Sequence, residues 1–252
     1  IDSASLDENS FLSFVPKTIT IDFVLFTNAY KTLFVYLSKS IEPHLNYTLT
    51  LKDFADATGN AFVDTLLTLN YNPVALHSIV INEIMADCTP SVGLPESDYL
   101  EIYNRSLYPV NLKKWSIYLG TSRKVFPDLL LPADSFLILC QTSKGSEFLK
   151  FGKTLEILSS NSLTVTDKNI VLKDSTGLLI DSVFYRKEWY KDSEKEDGGW
   201  SLERIDPDNF CGTSSNWSAS ESELGGTPGK VNSIKKFNID AEAPNVLQVI
   251  AT

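Results

Sequence analysis

Residues 198–233 read GGWSLERIDPDNFCGTSSNWSASESELGGTPGKVNS: two tryptophans, a charged strand-like run and a Thr-Pro-Gly terminus in succession. Pro228 lacks a backbone donor and Gly229 suits a turn, so this pair stops the last element, and Asn232 suits a terminal turn. The segment closes a stretch that opens with IVINEIMAD at 79–87, and the two ends delimit about 155 residues, one domain of ordinary size. Most of the chain reads as short strands. SFLILC (135–140), KNIVLKD (168–174), GLLIDSVFY (177–185) and WSLERI (200–205) are rich in Val, Ile, Leu and aromatics, with turn residues at close intervals. The best helix candidate is KGSEFLKF (144–151), short and lying between strands. The pattern predicts an all-β chain with at most one or two helical turns.

In KTITIDFVLF (17–26), Ile19, Ile21 and Phe23 share one face while Thr20, Asp22 and Val24 share the other. That alternation predicts a sheet with one buried and one more polar face. A boundary falls near 72–78, NPVALHS, where a proline and a change of pattern separate two regions. With 252 residues and 43% hydrophobic content the chain can build a core, and no window approaches the ~18 apolar residues of a membrane span. The N-terminal IDSASLDENS has neither a basic nor an apolar signal-peptide region, as expected of a processed chain or of a fragment. A net charge of −10 repels phosphate backbones. The adjacent lysine pairs Lys113-Lys114 and Lys235-Lys236 are too small a patch to reverse this, so no nucleic-acid partner is expected.

Three cysteines (Cys88, Cys140, Cys211) without CxxC spacing and two histidines (His44, His77) argue against a zinc site, and no metal or cofactor is expected. Cys140 ends an apolar run and reads as a buried thiol. Cys88 and Cys211 lie in loop-like sequence and could form one bridge in an oxidising compartment, two separate thiols being the alternative.

Two resemblances sharpen this reading. NYTLTLKDFADATGN (46–60) is a strand followed by a turn in which Asp56, Gly59 and Asn60 supply side-chain hydrogen bonding and positive φ. Its Tyr-Thr-Leu followed by Asp-x-x-Gly-Asn resembles the end of a bacterial immunoglobulin-like module of surface-layer type, over residues 10–70. Such modules usually carry additional strands before this point. NIDAEAPNVLQVIAT (238–252) resembles the opening of the same module type, either the first strand of a following repeat or an edge strand completing the N-terminal region. Over 79–233, IVINEIMAD, DYLEIYNRS (98–106), VNLKKWSIYLG (110–120), LPADSFLIL (131–139) and Thr-Pro-Gly-x-x-Asn occur in the order seen in bacterial lamin-tail domains. That resemblance implies an immunoglobulin-type β-sandwich and a binding or structural module rather than a catalyst.

The residues agree with such a module. Trp115, at the start of a strand, can anchor one sandwich face with about 2–3 kcal/mol of burial, and the Asn104 amide can satisfy backbone groups in a turn. Glu83 and Glu101, one in each of two apolar strands, admit an acid–base pair as in glycoside hydrolysis. The competing reading holds each at the sheet surface or on backbone donors, paired with Arg204. Neither histidine falls in the central module, so no Ser-His-Asp arrangement supports a hydrolase. YRKEWYKDSEKEDGGW (185–200) sets Trp189 and Tyr190 amid nine charged residues. An exposed pair here would make a recognition tip; the alternative folds Trp189 back over the sandwich edge. Asp192, Glu194, Glu196 and Asp197 lack an EF-hand pattern and read as a solvated loop rather than a calcium site. Trp200 and Trp217 read as core and edge packing.

The expected chain thus has an immunoglobulin-like module at 1–76 and a lamin-tail-like sandwich at 79–233. A linker and strand at 234–252 lead into, or complete, another module. The resemblance implies a secreted or cell-surface bacterial protein that binds a protein or glycan without catalysis, beside other modules of a longer chain. A structural spacer within a larger surface enzyme is the rival reading.

Overall fold

The computed structural model describes residues 12–27, 32–43, 45–52, 60, 63–160, 162–210 and 213–239. The chain divides into two compact units between Pro73 and Val74.

The smaller unit contains β1 (Leu12–Val15), β2 (Ile21–Thr27), β3 (Thr32–Leu37), β4 (Asn46–Leu51) and β5 (Thr65–Asn70). The order β1-β4-β5 makes one antiparallel sheet, and β2 pairs with β3 in a second. Ile19, Tyr47 and Leu49 form its buried core, with Ile21, Val24 and Val35 packed against them. The simple alternation expected for residues 17–26 does not survive. The β2–β3 register slips between Ile21 and Phe23, and Phe23 stands 49% exposed while Val24 joins the core. A bulge adds one residue to a strand, so every side chain beyond it changes face. The turn residues Asp56 and Gly59 lie outside the described residues.

The larger unit is a two-sheet sandwich. Its strands are β6 (Ile79–Met85), β7 (Tyr99–Asn104), β8 (Val110–Asn111), β9 (Ser116–Leu119), β10 (Ser122–Val125) and β11 (Leu130–Leu131). After β12 (Ser135–Gln141) comes the single turn α1 (Gly145–Phe148), inside the segment that read as helical. Then follow β13 (Thr154–Leu158), β14 (Asp167–Lys173), β15 (Leu179–Arg186), β16 (Leu202–Arg204) and β17 (Trp217–Ala219). One sheet has the order β13-β12-β7-β6-β16-β17 and the other β10-β9-β14-β15. Isoleucines and leucines such as Ile81, Ile102 and Leu139 from the first meet Ile117, Ile170 and Ile180 from the second in one buried cluster, which includes Trp115.

The six-stranded sheet is also covered on its outer face, where Met85, Tyr99, Ile138, Cys140 and Phe148 form a second cluster. This explains why β6 is buried at every position. A register shift between Ile81 and Glu83 sets Asn82 out of the alternation. Without it Ile81 and Ile84, three residues apart, would face opposite ways; with it both enter the inner core and Glu83 turns outward.

Candidate functional site

Two clusters of polar residues meet at β16, where neighbouring Glu203 and Arg204 point to opposite faces of the sheet, as strand geometry requires.

On the outer face, Glu203, Glu83 and Glu101 stand side by side on adjacent strands. All three are fully buried. The chain covering them is the closing segment. Glu83 Oε1 accepts from the Tyr99 hydroxyl (2.6 Å), the Ser201 hydroxyl (2.6 Å) and the Thr227 backbone N–H (2.7 Å). Glu101 accepts from the Gly229 N–H at 2.5 Å and from Asn82 Nδ2 at 2.9 Å. Glu203 accepts from the Thr227 and Ser233 hydroxyls, both at 2.8 Å, and from the Ile234 N–H at 3.2 Å. Asn232 completes the clasp, donating to the Asn82 carbonyl (3.0 Å) and the Arg204 carbonyl (2.7 Å). Close approach explains the glycines. A Cβ on Gly226 would lie 2.5 Å from the Tyr99 hydroxyl and 2.8 Å from Glu83 Oε1, and Gly229 has φ +78.

Packing carboxyls together in a dry layer disfavours their charge. Burial first, then Glu203, pushes Glu83 up to about 7. Burial and the neighbouring Glu83 hold Glu101 well above the usual carboxylate range. Glu83 Oε2 is the one buried side-chain nitrogen or oxygen without a hydrogen-bond partner among the described residues. Sealed from solvent, Glu83 and Glu101 hold the closing segment and present no acid–base pair to a substrate. Nor does either pair with Arg204, because that residue faces the opposite side of the sheet.

On the inner side, Arg204 Nη2 donates to Asp181 Oδ2 at 2.8 Å and Nε donates to the Ile81 carbonyl at 2.7 Å. Asp181 also accepts from the Ile81 N–H (2.8 Å), and its other oxygen lies 3.0 Å from His77 Nδ1. Beside this network opens a cleft of about 410 Å³, within the roughly 300–1,000 Å³ span of small-ligand pockets. Four rings line it: Phe184, Trp189, Phe210 and Trp217. Arg186 and Arg204 supply its cations, and Ser182, Thr213 and Ser214 its hydroxyls. Strand alternation builds the rim, since Val183 and Tyr185 point into the core while Phe184 and Arg186 point outward.

Trp189 is half-buried, its ring 6.4 Å from that of Trp217, and it lines the cleft. Tyr190 is 5% exposed and its hydroxyl donates to the Trp200 carbonyl, so it anchors the loop from within and is no part of an exposed tip. A one-turn 3-10 helix, Lys187–Tyr190, turns the two rings in different directions. Trp115 and Trp217 are core residues. Trp200 is half-buried beneath the Lys195 ammonium, 4.4 Å from its ring centre. The Asn104 amide donates to the carbonyls of Tyr108, Leu131 and Pro132 and accepts from the Ser106 N–H, tying two loops together. In the acidic loop, Asp192 caps its own turn through the Glu194 N–H and Asp197 pairs with Lys187. Among the described residues no group of three or more acidic, histidine or cysteine side chains is arranged to hold a metal. Cys88 is half-buried, its thiol pushed up to about 11 by burial and by Asp98. Cys211 lies outside the described residues, and so does the proposed bridge. So do residues 240–252 of the expected additional strand.

Sequence reasoning did not find Asp181, Glu203, Phe184 or Arg186. The available signal for the last two was the alternation of β15 running straight into Trp189.

The larger unit is an immunoglobulin-type β-sandwich, a fold that is typically non-catalytic. The lamin tail domain family model matches residues 73–187, β6 through β15 with their flanks, and over this stretch the chain is similar to that family. No curated protein matches the chain. Among solved structures, a DUF4876 family protein from Bacteroides thetaiotaomicron VPI-5482 is similar at 10% identity over 95% of this chain and 96% of that chain, with a TM-score of 0.37. At that TM-score nothing about this chain rests on the likeness. Among the described residues no helix is long and apolar enough to cross a membrane.

Proposed function

We propose that the chain is a non-catalytic binding part of a longer protein that works outside the cytoplasm or on the cell surface, recognising a protein or glycan. Residues 1–76 serve as an immunoglobulin-like module, 79–233 as the lamin-tail sandwich, and 234–252 lead into or complete another module. The observation that supports binding is the cleft of about 410 Å³ beside Trp189. Aromatic rings joined to arginines are the chemistry most enriched at recognition sites.

The rival reading, a structural spacer, draws on the burial of Tyr190 and the packing of Trp189 on Trp217. Arrays of glycans and extracellular proteins, probed with the chain and with Trp189→Ala, separate the two. Binding that weakens at least about tenfold in the variant, a change of about 1.4 kcal/mol, supports the module. Binding unaltered by the substitution, or none at all, favours the spacer.

A further inference from the structure

The aromatic lining of the cleft does not account for its charge. Arg204 is 4% exposed. Its Nε and Nη2 are engaged by Ile81 and Asp181, but Nη1 donates to no described residue. Nor is Nη1 sealed, because Glu83 Oε2 is the one buried, unpartnered side-chain polar atom among the described residues. Nη1 therefore reaches solvent; of the two openings that Arg204 lines, the one beside Asn82 and Asn232 holds only about 10 Å³, and the cleft is on the side where the guanidinium meets Asp181. Arg186 stands at the rim, exposed, its guanidinium 5.1 Å from the Phe184 ring centre and in no ion pair among the described residues. Asp181, the one carboxylate in the lining, is spent on Arg204, the Ile81 N–H and His77. Two guanidiniums against one committed carboxylate make this a positive spot on a chain of net charge −10. Asp181 balances the buried Arg204, so the cation left without a counter-charge is Arg186 at the rim, and an anion in the cleft would pair with it.

We propose that the occupant is an anionic saccharide. This rests on the binding-module reading of the same cleft. Its carboxylate or sulfate sits between Arg186 and Arg204 Nη1, where planar guanidiniums give charge-assisted hydrogen bonds. The C–H face of a sugar ring lies on Trp189, and its hydroxyls exchange hydrogen bonds with Ser182, Thr213 and Ser214. A peptide docking as an added strand would take its affinity from backbone pairing along an open sheet edge. The cleft instead offers flat rings, hydroxyls and a fork of donors, which suits a ring carrying many hydroxyls and one anion.

The test uses the full chain with galacturonate and chondroitin sulfate tetrasaccharides, their neutral counterparts (the methyl-esterified galacturonate, and the chondroitin both desulfated and methyl-esterified), and dipeptides with free carboxylates. Binding is read by tryptophan fluorescence, since Trp189 and Trp217 both line the cleft, and by calorimetry. The expected result is saturable binding of an anionic tetrasaccharide, weakened about tenfold or more by neutralising the ligand and equally by Arg186→Gln. Added salt weakens it too, and Arg186→Gln, at an exposed position, leaves the thermal midpoint unchanged. Equal binding of the neutral counterparts, with no effect of Arg186→Gln, overturns the anion assignment and leaves the binding module standing. Binding of the dipeptides alone overturns the saccharide. Failure of every probe overturns the proposal, and the arrays with Trp189→Ala then decide separately whether the module reading goes with it.

Discussion

Glu203 and Arg204 are neighbours on one short strand, yet the polar clusters they enter differ in what the chain does with its own hydrogen-bonding capacity. On the outer face, Glu203, Glu83 and Glu101 take donors from Thr227, Gly229, Ser233 and Ile234, and no solvent reaches them. On the inner side, Arg204 spends two of its nitrogens on protein and keeps the third at an open cleft. Both contain buried ionisable groups, a common mark of functional sites. The contrast shows that burial alone does not single out a site. The carboxyl row is the more perturbed of the two and the less able to meet a ligand, because its partners come from the same chain.

The largest expected effect falls on the inner network. Asp181→Asn leaves the guanidinium of Arg204 buried without its counter-charge, and losing one partner of a buried pair costs about 3–5 kcal/mol. Denaturant unfolding should show that loss. A change below about 1 kcal/mol, the worth of a surface pair, would mean that the pair is solvated after all.

Next comes the pH dependence of the carboxyl row. Glu83 has an ordinary value of 4.5 and sits at about 7 in the fold, so between those values the folded chain holds the proton more tightly than the unfolded one. Its contribution is fully present below about pH 4.5 and is lost as pH rises through 7. The difference amounts to something on the order of 3 kcal/mol. Glu101, raised for the same reason, acts in the same direction. Glu83→Gln, a neutral isostere that can still accept from Tyr99, Ser201 and Thr227, should flatten part of this slope and be more stable than the parent above pH 7. Parallel pH profiles for parent and variant would show that Glu83 is ionised throughout and that the row carries no such strain.

Much of the sandwich was legible because it rests on local patterns. Runs such as SFLILC and KNIVLKD alternate or bury as strands do, and the turn residues between them mark their ends. Bulges were not legible. Adding one residue at Asn82 or after Ile21 reverses every later side chain, and nothing in the composition of IVINEIM or TIDFVLF announces it. At the sites, Glu83 and Glu101 stood out as charges in apolar strands, but the donors that satisfy them lie 144 and 128 residues further on. Arg204 was visible and its partner was not, because Asp181 sits within an ordinary strand, GLLIDSVFY. Trp189 and Tyr190 look alike in sequence; the single 3-10 turn between them sends one into the core and leaves the other at the cleft.

The contrast between closed row and open cleft is tested most directly by nuclear magnetic resonance of the whole chain titrated with the anionic tetrasaccharides. The account predicts that the indole N–H of Trp189 and the side-chain signals of Arg186 and Arg204 shift on binding. The amides of Thr227, Gly229 and Ile234 over the glutamate row should stay in place. Shifts centred on those three amides, with Trp189 and Arg186 unmoved, would contradict it.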